Sequence, residues 1–97
     1  MANSLYTNPI YLDATAASSR TGDMVLMSVA WVSDAGAGDD IAANDDFLLS
    51  DSMGNKIIGK RAEVDGDDLY ISWPMGLPVK GTTLTTLDGG VVYIYVK

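Results

Sequence analysis

The closing run Val91-Val92-Tyr93-Ile94-Tyr95-Val96 constrains this chain more than any other stretch. Every residue in it is β-branched or aromatic, the types that fit a pleated surface. Alternation sends Val91, Tyr93 and Tyr95 to one face and Val92, Ile94 and Val96 to the other. Neither face is polar, so the strand either lies centrally in a sandwich or is covered on its second side by something else. Asp88-Gly89-Gly90 supplies the tight turn of a hairpin whose first arm is residues 82–87. A chain of 97 residues builds one modest core, and a neighbouring subunit is a natural cover for an apolar face left over.

Further strands are expected at 10–13, 24–33, 47–50, 56–64, 69–73 and 77–80, with Asp- and Gly-rich turns between them. In 24–33, Val25, Met27, Val29 and Trp31 fall on one face and Met24, Leu26, Ser28, Ala30 and Val32 on the other. A helix competes there, but the run is short and ends in β-branched residues. Gly59 interrupts one face of 56–64 and suggests a bulge. Pro74 stops one strand, and Pro78 limits the next to an edge or a strand start. The expected fold is therefore a small antiparallel β-sandwich or barrel of about seven strands. Residues 10–97 form its single domain, and residues 1–9 read as an extended N-terminal arm. That arm is too polar to fill a core, so Leu5, Tyr6 and Pro9 are candidate anchors on a partner. The acidic stretch 33–46 reads as a mobile, solvated loop dispensable for folding.

The net charge is −7, from twelve Asp and one Glu against six Lys and Arg. Asp favours turns and caps over helix interiors, which places the acids between strands. No basic stripe exists to neutralise a phosphate backbone, so nucleic acid is not an expected partner. The first residues lack a basic segment followed by an apolar run, and the longest apolar stretch, 24–32, is too short to span a bilayer. A soluble protein made in the cytoplasm is expected, with no membrane partner.

Cysteine and histidine are both absent, which removes disulfides, the commonest metal ligands and the commonest general base. Asp39-Asp40, Asp45-Asp46 and Asp65-x-Asp67-Asp68 offer oxygen ligands, but none has the bidentate Glu of a calcium loop. They read as turn residues, and no cofactor or metal is expected. Paired carboxylates need a cleft that so small a sandwich scarcely provides, and the hydroxyls lack an activating base. The chain therefore reads as a non-enzyme. Its aromatics suit either a sugar-stacking platform or a subunit interface. Trp73, Val91, Tyr93 and Tyr95 are the candidates for an oligomer interface.

Three stretches together carry a resemblance: LYTNPIYLD at 5–13, DSMGNKII at 51–58 and GLPVKGTTLTTLDGGVVYIYV at 76–96. They resemble small virion structural proteins of tailed bacteriophages, in which an arm precedes a β-domain that closes on a tyrosine-rich strand. The likeness covers about half of the chain and leaves the central loop 33–46 unmatched. It implies a capsid decoration or cement protein on the head shell, bound to the major capsid protein or another virion protein. It also implies a homo-oligomer, with a trimer as the first expectation because shells offer three-fold sites. The alternative is a small glycan- or receptor-binding module of a fibre or tail.

Overall fold

Val92 and Ile94 are fully buried, and they set the architecture by pulling their strand to the centre of the core. The computed structural model describes residues 3–16, 18–33 and 40–97. Among them are six strands and no helix: β1 (Ile10–Leu12), β2 (Arg20–Val32), β3 (Asp46–Ser50), β4 (Lys56–Arg61), β5 (Leu69–Leu87) and β6 (Val91–Val96). All pair antiparallel in the order β1-β6-β2-β5-β3-β4. The strands expected at 69–73, 77–80 and 82–87 are one 19-residue strand, so the count is six.

Strand β5 turns a single sheet into an enclosure. Its first part pairs with β2, as far as Thr82 opposite Arg20, and from Thr83 onward it pairs with β3. The two halves then face one another across a common core. Trp31 of β2 and Phe47 of β3, strands that are not neighbours, stack with ring centroids 5.4 Å apart. Ile10, Leu12, Leu26, Val29, Leu49 and Leu84 fill the rest of that interior. The prolines do not break β5, because Pro74 lies in a four-residue excursion, Trp73–Gly76, that has no partner in the β2 ladder.

A bulge at Met27 corrects the face assignment of β2. Leu26 opposes Val96 and Ser28 opposes Tyr95, leaving Met27 as the extra residue. Inward alternation therefore slips by one position. Met24 and Leu26 point into the core before the bulge, and Val29 and Trp31 after it. Two more expectations change. Strand β4 ends at Arg61, with Val64 exposed, and its irregularity falls at Ile57. Gly59 instead marks a close approach, since a Cβ there would lie 3.0 Å from the Phe47 carbonyl oxygen.

Residues 3–9 are not an extended arm. Ser4 and Tyr11 exchange backbone hydrogen bonds of 2.8 and 3.0 Å. The Asn3 side chain accepts from the Asp13 and Ala14 N–H groups and donates to the Ala14 and Ala16 carbonyls. Asn8 bonds both the N–H and the carbonyl of Val96. The polar residues that made this segment look unfit for the domain are the ones that fasten it there.

The loop 33–46 is corrected in part. Residues 34–39 lie outside the described residues. Ile41, however, is 1% exposed and belongs to the core. Its N–H donates to Ser33 Oγ at 2.8 Å and its carbonyl accepts from the Gly66 N–H at 2.8 Å. A buried isoleucine held at both backbone atoms is a plug, and removing it would open a cavity.

Candidate tyrosine-rich sheet face

The outward side chains of β1, β6, β2 and β5 form a surface whose central rows carry no charge. Register places Tyr11, Tyr93, Ala30 and Tyr70 in one row across the four strands. The next row holds Tyr95, Ser28 and Ser72. Beyond the bulge come Val25 and Pro78, and only then the ion pair of Lys80 with Asp23 at 2.9 Å. Tyr70 is 69% exposed and Tyr95 41%, whereas Ala30 and Ser28 between them are almost covered. The surface thus has two walls, Tyr70 on β5 and Tyr11, Tyr93 and Tyr95 on β1 and β6, around a floor of small residues on β2. Tyr11 and Tyr93 brace each other, with ring centroids 5.3 Å apart.

The excursion in β5 stands beside this face. Met75 at its tip is 94% exposed. Gly76 closes the excursion at φ +80°, and a Cβ there would come 2.5 Å from a methyl of Val25. Only glycine lets β5 return so tightly against β2. A shallow recess lined by Val25, Pro78, Val96, Arg20, Asp23 and Lys80 lies at the end of these strands.

Of the interface candidates, Tyr93 and Tyr95 stand on this face. Val91 points the same way but is fully buried within the chain, so it offers no surface to a partner. Trp73 is half-buried and packs against the core, so its ring is largely committed inward. Among the arm anchors, Leu5 packs on the core and Pro9 is half-buried. Tyr6 is 79% exposed under the Arg20 guanidinium, 4.8 Å from its ring centroid. Sequence reasoning missed Tyr70, Met75 and the Ser28–Ala30 floor. Tyr70 alternates with the apolar Leu69 and Ile71, which was a signal for an outward tyrosine.

Many carboxylates are spent on turns. Asp51 accepts from the N–H groups of Met53 and Asn55, Asp45 from that of Ala42 and Asp65 from that of Ala43. Asp46 takes Arg61 through both oxygens, at 2.8 and 3.1 Å, while its N–H donates to Asp88. Among the described residues no three acids gather into a group that would hold a metal ion.

Asp46, Asp51 and Asp67 tie stability to pH. The Arg61 guanidinium holds the Asp46 carboxyl below its ordinary 3.8. The Asn55 N–H does the same for Asp51, and the Glu63 N–H followed by Lys60 for Asp67. A carboxyl lowered on folding stabilises fully above its ordinary value and loses that contribution as pH falls through the lowered one. The melting temperature should be flat from neutrality to about pH 5 and drop below about pH 4. Asp51→Asn should make that drop shallower, which calorimetry across the acid range would measure.

Comparison of the chain with protein-family models, with curated proteins and with solved structures finds no match.

Proposed function

We propose that this chain is a non-enzymatic structural component of a bacteriophage particle, a decoration or cement protein of the head shell that binds other protein through its tyrosine-rich sheet face. The observation that carries a binding role is that face: exposed tyrosines over a floor of serine and alanine, free of charge on a chain of net charge −7. Tyrosine contributes large contact area at low entropic cost, and small neighbours let a partner approach closely. Core residues of protein interfaces are depleted in charge and rich in aromatics, with a polar rim such as Asp23 and Lys80 supply here. The particle setting is supported by the likeness of residues 5–13, 51–58 and 76–96 to small virion proteins.

Immunogold labelling of purified particles that encode the chain tests this function. Gold over the head shell is the expected result. Label confined to the tail tip would replace it with the glycan- or receptor-binding module, in which the same rings stack on sugars. Particles free of the chain would overturn the virion reading altogether.

A further inference from the structure

We propose that the recess at the end of β6 receives a short extended segment of a partner protein, which continues the line of β6 along β2 and sets an acidic side chain against Arg20. Strand β6 is shorter than the strand it lies against. Its ladder with β2 runs from Val91 opposite Val32 to Val96 opposite Leu26, and one further bond, from the Lys97 N–H to the Val25 carbonyl at 3.0 Å, closes it. Strand β2 goes on to Arg20 with β5 along one edge only. Among the described residues, no backbone hydrogen bond beyond the β5 ladder reaches residues 20–24. An open edge of this kind is a template for another strand. The lane is short, because Gly22 at φ +96° bulges β2 and ends the regular edge at Asp23. It suits a few extended residues.

The recess lies along this lane. Val25, Pro78 and Val96 give it apolar walls, and it encloses about 490 Å³, within the about 300–1,000 Å³ usual for ligand sites. Charge selects the occupant. Three of the chain's six cationic side chains, Arg20, Lys80 and Lys97, meet one acid there, Asp23, on a chain of net charge −7. Lys80 and Asp23 pair at 2.9 Å but are both mostly exposed, which makes the pair weak. Arg20 is held differently from Lys60 and Arg61, whose partners are Asp67 and Asp46. It donates to the Leu5 carbonyl at 3.0 Å and lies over the Tyr6 ring, 4.8 Å from its centroid, with no carboxylate partner among the described residues. A carbonyl and a ring orient the guanidinium without neutralising it. An oriented fork with its charge unspent is suited to a carboxylate. The site needs none of the tyrosines of the sheet face, and a segment so short binds too weakly to hold the chain on a particle by itself.

Titration of the full chain with the peptide acetyl-TVEVTS-amide, followed through the protein's amide resonances, tests this site. Saturable shifts should appear at residues 20–25 and 96–97, and hydrogen exchange should slow within residues 20–24. The peptide acetyl-TVQVTS-amide, which lacks the charge, should bind about 10-fold more weakly, and Arg20→Gln should weaken binding of the acidic peptide by the same factor. Lys97→Gln, which leaves the Leu5 contact untouched, should weaken it by about 2- to 5-fold. The Tyr70→Lys/Tyr95→Lys double variant should bind the peptide as the wild type does, so failure of this site and failure of the tyrosine-rich face read out separately. Shifts that never saturate, equal binding of the two peptides, or variants at Arg20 and Lys97 that bind like the wild type would overturn the proposal. Resonances of residues 20–25 that move when the chain alone is diluted would give the recess to a second copy and overturn it as well.

Discussion

Trp31→Ala should lower the melting temperature of this chain by about 10–40 °C. Trp31 is fully buried, stacks on Phe47 with planes 24° apart, and donates its indole N–H to the Gly89 carbonyl at 2.9 Å. It thereby joins the two halves of the sheet to the turn that launches β6. Truncating a buried tryptophan costs about 3–5 kcal/mol, much of the about 5–10 kcal/mol available to a domain this small. Trp31→Phe keeps a ring against Phe47 but strips the Gly89 carbonyl of its donor, and should cost about 1–3 kcal/mol. Urea denaturation followed by the fluorescence of the remaining Trp73 would measure both. Equal, small shifts would show that this stack does not hold the halves together.

Gly81→Ala should be nearly as damaging, through the backbone alone. Gly81 has φ +86° and sits where β5 leaves β2 for β3. A Cβ there would collide with the Arg20 carbonyl oxygen and lie 3.0 Å from the Thr21 Cα, and backbone atoms cannot swing aside. Left-handed strain costs about 1–2 kcal/mol and overpacking about 1–3 kcal/mol more. A total of about 2–5 kcal/mol lowers the melting temperature of a domain this size by about 10–40 °C. Gly54→Ala is the control. Its φ is +88° but nothing lies within 4 Å, so strain acts alone and the loss should be about 1–2 kcal/mol. Similar shifts for the two variants would mean that the bend at Gly81 is looser than its contacts indicate.

These two positions show what the sequence made legible. Strand character was legible wherever β-branched and aromatic residues cluster, and so were the turns at Asp51–Asn55 and Asp88–Gly90, because those signals are local. The continuity of β5 was hidden, since Pro74 and Pro78 look like breaks until an excursion takes Pro74 off the ladder. The faces of β2 were misassigned for a similar reason, as a single extra residue at Met27 reverses inward and outward and register is a property of two strands. Asn3 and Asn8 read as arm residues because their partners, Asp13, Ala14 and Val96, are distant in the chain. Of the face itself, Tyr93 and Tyr95 were legible from alternation. Tyr70 and the small floor were not, because only strand order brings them beside Tyr93.

The role proposed for the tyrosine-rich face can be measured on particles directly. Particles from a phage lacking the gene are mixed with purified wild-type chain or with the Tyr70→Lys/Tyr95→Lys double variant, and bound protein is quantified after sedimentation. The wild-type chain should sediment with the particles to saturation, and the folded double variant should stay in the supernatant. Equal binding of the two would contradict the account, because an uncharged tyrosine face that tolerates two lysines is not the surface by which this protein works.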